Sequence, residues 1–239
     1  MIATLPMYDW PEERATVDAQ WATLRDALRA AGLAAPDALT RSDDLYALWR
    51  DPDLILGQTC GLPYVLGLHE TTQVVGAVDP GLPDTPAGHY RSVIIARADD
   101  PRDPGALLAA RVAVNEPGSQ SGWGALAGWA ATQDLALSGH LQATGAHRAS
   151  AGAVAQNRAD IAAIDAVSWA LITRHDPATA TALRIVARTA PTPAPPLISA
   201  ARFDPDQIAA AIAPALGLGR LVRHSRDAYF GVPRFAFPG

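Results

Sequence analysis

Two proline-rich segments, Asp79–Gly88 and Thr189–Pro196, bracket residues 89–188 of this 239-residue chain. Proline fixes φ and withholds an amide donor, so stretches this dense in it run as stiff extended connectors rather than as helix or central strand. Strand-like and helix-like blocks alternate on both sides of each connector, which is the pattern of an α/β fold. The expected organisation is a discontinuous first lobe, residues 1–88 plus 189–239, into which a second α/β lobe of residues 89–188 is inserted. Two crossings make a hinge. A crevice where strand ends and helix starts of two lobes meet is a common place for a ligand.

Within the first lobe, Ile2–Leu5 reads as a short buried strand stopped by Pro6. Asp9-Trp10-Pro11-Glu12-Glu13 then offers a helix start, and Val17, Trp21, Leu24 and Leu28 recur at helical spacing up to Gly32. A short strand is expected near Leu39. A helix capped by Asp43, a strand at Leu54–Leu56 and a short helix after Gly57–Gly61 follow, on a largely parallel sheet. In the second lobe the expected strands are Tyr90–Arg97, Arg111–Val114, a stretch near Leu141, Asp160–Ile164 and Leu183–Ala187. Helices are expected over Ser119–Ala131, His147–Gln156 and Ala166–Arg174. The chain returns at Leu197 to complete the first lobe.

Composition narrows the chemistry. All nineteen basic residues are arginine, which removes Schiff-base chemistry on lysine and the lysine of a phosphate-binding P-loop. A net charge of −5 does not mark a nucleic-acid binder. A single cysteine, Cys60, allows neither an intrachain disulfide nor a cysteine zinc site, and no metal or organic cofactor is expected. The apolar run Val65–Val78 is broken by His69, Glu70 and Gln73, so no membrane span is expected. The opening Met1–Tyr8 lacks the basic and apolar regions of a secretory leader; periplasmic service then requires a leader lost from this sequence, and otherwise the expected compartment is the cytoplasm.

The candidate site residues sit where strands give way to helices. In Asn115-Glu116-Pro117-Gly118-Ser119-Gln120-Ser121-Gly122, a buried strand ends and a helix begins, so free amides, two hydroxyls and the positive end of a helix dipole point at one spot. Ser119 reads equally as an ordinary N-cap. His147, in Thr144-Gly145-Ala146-His147, stands in the first turn of the next helix, where the dipole favours a neutral imidazole; a simple cap or exposed histidine is the plainer reading. Asp165 ends a strand and opens a helix, as an N-cap does. Tyr8 and Tyr64 follow strands of the first lobe, and Tyr90 lies on the crossing segment. Each can seal a crevice with its ring or belong to the core.

In the order Tyr8-Asp9-Trp10, Gln58–Tyr64, Tyr90-Arg91-Ser92, Asn115–Gly122, Thr144–Ser150 and Asp160–Asp165, the chain resembles the phosphate/phosphite/phosphonate substrate-binding proteins of ABC importers. That resemblance implies a type II periplasmic-binding-protein fold, with two mixed sheets flanked by helices and a double-crossover hinge. It also implies a phosphonate group held by Ser119, Gln120 and Ser121 with His147, Tyr64 and Tyr90; Tyr8 and Asp165 complete the expected set. The expected function is capture of a small oxyanion, whether phosphonate, phosphate or phosphate ester, in the interlobe cleft for delivery to an ABC permease. The alternatives are a leaderless enzyme of the dehydratase kind on the same fold and a cytoplasmic ligand sensor. An enzyme would have to use the loosely placed acids and histidine Glu116, His147 and Asp165.

Overall fold

The computed structural model describes residues 1–217 and 219–238. The chain divides into two compact units. Unit 1 comprises Met1–Gly81, Ala87–His89 and Pro193–Gly231; unit 2 comprises Leu82–Pro86, Tyr90–Thr192 and the described residues from Val232 onward.

Unit 1 begins with β1 (Ile2–Thr4) and α1 (Arg14–Ala30), which buries Val17, Trp21, Leu24 and Leu28 as the spacing predicts. Gly32, at φ 79°, lets the amides of Gly32 and Leu33 turn back to the carbonyls of Arg29 and Leu28 and so closes the helix. Next come α2 (Leu45–Arg50), β2 (Leu54–Gln58), α3 (Gly61–Leu66) and β3 (Thr72–Val78). The cap of α2 is Asp44, which accepts from the Ala47 amide, not Asp43. Leu39 is buried but outside a strand; the neighbouring Thr40 amide makes one isolated bond to the Ala3 carbonyl, and a single bond does not make a ladder.

In unit 2, β4 (His89–Tyr90, beginning on the last residue of unit 1) leads to β5 (Ser92–Arg97), α4 (Pro104–Leu108) and β6 (Arg111–Val114). One π-turn over Gln120–Gly124 runs into α5 (Ala125–Thr132). Then follow β7 (His140–Ala143), α6 (His147–Ala155), β8 (Ile161–Asp165), α7 (Ala166–His175), α8 (Pro177–Thr181) and β9 (Leu183–Arg188). After β10 (Thr192–Pro193) the chain completes unit 1 with β11 (Pro196–Ala200), α9 (Pro205–Leu216), β12 (Leu221–Val222) and α10 (Arg226–Phe230).

Both five-stranded sheets are mixed. In unit 1 the order is β1-β2-β11-β3-β12: β1 and β2 are parallel, but the returning β11 runs antiparallel between β2 and β3. The largely parallel sheet expected for the first lobe is therefore interrupted by its last long strand. Pro196 can open β11 because the first residue of a strand tolerates proline. In unit 2 the order is β7-β6-β8-β5-β9, with β7, β6 and β8 mutually parallel and β5 antiparallel to both its neighbours. Ile94, Val112, Val114, Ile161 and Ala163 meet Trp123, Leu126 and Ala130 of the helix that follows β6 in one core.

The C-terminal segment departs from the expected boundary, because it packs on unit 2 instead of closing the first lobe. The Trp123 indole Nε1 donates to the Phe235 carbonyl at 2.8 Å, and the Phe237 ring stands edge-on to Trp123 with centroids 5.0 Å apart. An aromatic anchor with a satisfied indole N–H outweighs simple continuity of the chain.

At the edge where β6 and β8 begin, two buried carboxylates gather arginines. Asp160 accepts from the Arg111 amide and side chain and from Arg102 Nη2, while Asp100 accepts from the amide and guanidinium of Arg102. The hydrogen bond from Arg111 holds the Asp160 carboxyl far below the usual carboxylate range, and the one from Arg102 takes Asp100 down to about 2. Carboxyls depressed in the folded chain contribute stability that is complete above the unfolded pKa and is lost as pH falls toward the folded value. Urea unfolding of the wild type is therefore expected to show stability declining from about pH 4 to about pH 2. Asp160→Asn, which leaves charged donors facing a neutral amide, is expected to cost about 1–3 kcal/mol at pH 7 and to flatten that decline. An unchanged urea midpoint would contradict this.

Candidate functional site

Because β6, β7 and β8 are parallel, their C-terminal ends share one edge of the unit 2 sheet, opposite the arginine–carboxylate cluster. Each end is followed by a helix start. The register Val114↔Ala143 aligns the ends of β6 and β7, and Ser92↔Asp165 adds the beginning of antiparallel β5. Ser119, Gln120, Ser121, His147 and Asp165, from three junctions, are thereby held at one edge by backbone ladders.

The junction after β6 is the most elaborate. Ser119 caps the π-turn, its hydroxyl oxygen accepting from the Gly122 amide at 3.0 Å, so the capping reading of Ser119 is correct as far as it goes; the O–H remains a donor. The amides of Gln120 and Ser121 lie in the first turn of the helical segment, at the positive end of its dipole. A π-turn widens the first coil relative to an α-helix, a distortion that recurs at functional sites. Gly122 is required here for space: a Cβ would lie 1.8 Å from Asn115 Oδ1. Ser119, Gln120 and Ser121 are all buried.

Across the edge, Ser121 Oγ and His147 Nε2 share a hydrogen bond of 2.8 Å. His147 is the first residue of α6, and its side chain is 11% exposed. Burial pushes its imidazole below the ordinary histidine range, opposed by the Asp165 carboxylate and the Ala163 carbonyl. The neutral ring follows from that direction. Asp165 caps α7, Oδ1 accepting from the Val167 and Ser168 amides and Oδ2 from the Ser168 hydroxyl at 2.6 Å. Its Oδ2 stands 4.0 Å from His147 Nε2, the same nitrogen that meets Ser121. A hydrolytic serine relay instead needs the acid on the opposite ring nitrogen from the serine, to hold the tautomer and orient the ring.

Ser92 was not singled out by the sequence, yet its hydroxyl donates to the Ser121 carbonyl at 2.8 Å and its amide donates to Thr189 Oγ1 at 2.9 Å. Its only signal is its place after Tyr90-Arg91 at the head of an apolar strand. Tyr90 itself is buried on β4, in unit 2.

Tyr8 and Tyr64 belong to unit 1. Tyr8 is half-buried in a single 3₁₀ turn, Pro6–Tyr8, after β1. Tyr64, on α3, is 2% exposed and takes edge-on contacts from His69, Tyr229 and Phe230, the arrangement of a core tyrosine; burial raises its phenol. Among the described residues there is no group of three or more His, Cys, Asp or Glu side chains that could hold a metal ion, and no helix long and apolar enough to cross a membrane.

Known proteins share this architecture. PhnD1 of Prochlorococcus marinus, solved with methylphosphonate, superposes with a TM-score of 0.73 at 12% identity over 95% of this chain and 94% of its own. A binding-protein component of an ABC phosphonate transporter from Pseudomonas aeruginosa gives 0.63 at 15% over 89% and 72%. The alkanesulfonate-binding protein SsuA of Xanthomonas axonopodis pv. citri, bound to MOPS, gives 0.63 at 15% over 91% and 71%. These likenesses carry the two-lobed periplasmic-binding-protein fold that the family resemblance implies. No curated protein matches the chain in sequence. The family model for the ABC transporter phosphonate periplasmic substrate-binding protein matches residues 12–218, and the chain is a member of that family.

Proposed function

We propose that the helix start Ser119-Gln120-Ser121, with His147, receives the oxyanion end of a phosphonate or phosphate ester. The observation that carries this reading is the 2.8 Å Ser121–His147 hydrogen bond at a helix start capped by Ser119, which gathers two hydroxyls, the first amides of a helix and an imidazole at one edge of the sheet. Amides and the helix dipole can bind an oxyanion without a lysine or arginine beside it. Methylphosphonate in PhnD1 and MOPS in SsuA show that neighbours of this fold take tetrahedral oxyanions. Membership in the family makes delivery to an ABC permease the role of the complex, and periplasmic capture the setting we assign to it. Tyr90 and Asp165 are assigned to the same site on unit 2, whereas Tyr8 and Tyr64 belong to unit 1, Tyr64 as a core residue packed against His69, Tyr229 and Phe230. A serine–histidine–acid relay is disfavoured because Ser121 and Asp165 approach one and the same imidazole nitrogen, and the family favours a binding role over an enzymatic one.

Calorimetry with methylphosphonate and inorganic phosphate tests the assignment. Binding of at least one is expected, and Ser121→Ala is expected to weaken it by about 1–3 kcal/mol, the range for a hydrogen bond to a charged group. Ser119→Ala should weaken it similarly and also lower stability by about 1 kcal/mol through the lost cap. Full affinity in both variants would refute the site. His147 supplies a separate check. Its folded pKa lies below that of the unfolded chain, so the unfolded state takes up the proton first and stability drops as pH falls through about 6.5. Thermal melts at pH 7.5 and 5.5 are expected to differ less in His147→Asn than in the wild type.

A further inference from the structure

Unit 2 holds a second feature that oxyanion capture leaves unused. A cavity of about 150 Å³ begins at Ser92, Gln120 and Ser121 and runs along α5 beneath the C-terminal segment. Its wall is mostly apolar: Ala125, Gly128 and Trp129 from α5, Ala190, and Pro233 and Phe235 from the last residues of the chain. Gly124 and Gly128, one helical turn apart, expose bare backbone along this face. The Phe235 ring packs so closely over Gly128 that an added Cβ would come within 3.3 Å of it. Phe235 is held there through its own carbonyl, which accepts from the Trp123 indole, and Trp123 belongs to the π-turn that also carries Ser121. One turn of helix thus supplies both the proposed oxyanion donors and the anchor of the cavity's cover.

Such a volume admits a benzene-sized group when its lining is apolar. We infer that this cavity takes the organic substituent of the ligand, so that the chain selects phosphonates bearing a small aryl or branched alkyl group over methylphosphonate or inorganic phosphate. The occupant follows from continuity: Ser121 lines the cavity and its hydroxyl meets His147 at the proposed oxyanion position, so a substituent on the phosphorus atom directed to that side enters mostly apolar surroundings. At the polar edge the Ser92 hydroxyl donates to the Ser121 carbonyl and the Ser92 amide donates to Thr189 Oγ1, while Trp129, Pro233 and Phe235 make the wall beyond mostly carbon.

This inference rests on the oxyanion assignment, and the test separates the two. Calorimetry on the full chain compares methylphosphonate with phenylphosphonate in the wild type and in Ala125→Leu, which fills the cavity, and Phe235→Ala, which opens its cover. Phenylphosphonate is expected to bind the wild type at least about tenfold more tightly than methylphosphonate, the scale of discrimination an apolar pocket provides. Both variants should lose most of that preference and keep their affinity for methylphosphonate. Equal affinities in the wild type, or a preference that survives Ala125→Leu, overturn the cavity assignment while the oxyanion site stands. Failure of both ligands to bind overturns both. Thermal melts of each variant without ligand identify a fold defect, and if Ala125→Leu does not fold, Phe235→Ala and the wild-type ratio decide.

Discussion

The hydrogen bond between Ser121 and His147 joins two helix starts that are 26 residues apart in the chain but follow neighbouring strands of the sheet, and the rest of the candidate site is arranged around it. It exists because β6 and β7 are parallel neighbours in register, which brings the ends of both strands to one edge. Had β7 run antiparallel, His147 would leave from the opposite edge, among the arginines that serve Asp100 and Asp160. Parallel pairing thus sorts the polar residues of unit 2. Carboxylate–arginine pairs, whose charges are mutually satisfied, lie where strands begin; hydroxyls, amides and a neutral imidazole lie where strands end.

That sorting has an electrostatic logic. A pocket built from arginine would hold an anion strongly, but its empty form would need counterions or water around exposed guanidinium groups. Dipoles avoid this, because amides and hydroxyls at a helix start are neutral without a ligand and need no counterion at the proposed position. The depressed pKa of His147 belongs to the same scheme. Burial keeps the ring uncharged, and Asp165, already engaged by two amides and the Ser168 hydroxyl, is held as the cap of α7 instead of being drawn into an ion pair with the imidazole.

Much of unit 2 was legible because its central strands, buried on both faces, appear as short unbroken apolar runs such as Val112-Ala113-Val114 and Ile161-Ala162-Ala163-Ile164, each ending at a polar turn. The same physics made Ser119, Ser121, His147 and Asp165 visible, since all four sit at those endings. What stayed hidden depended on distant pairing. The antiparallel insertion of β11 is set by partners more than a hundred residues away in β2 and β3, and no local periodicity encodes it. Tyr64 illustrates the limit from the other side: a tyrosine after a strand end looks like a site residue until Tyr229 and Phe230, from the far end of the chain, are seen against its ring. The π-turn was equally invisible, because Gln120–Gly124 has ordinary helix-start composition and only the packing of Asn115 against Gly122 reveals the constraint.

The placement of the C-terminal segment ties these threads together. Phe235 and Phe237 carry no periodic pattern, and a short tail pays the entropy of ordering only if it buries enough apolar surface in return. It does so on Trp123, a residue inside the turn whose amides face the proposed ligand. A single change in that turn therefore has two consequences: replacing Trp123 would release the tail and at the same time loosen the backbone that aims Gln120 and Ser121. Local stability and ligand grip in unit 2 are coupled through one indole ring, so the aromatic residues that close the chain have a structural reason to be there.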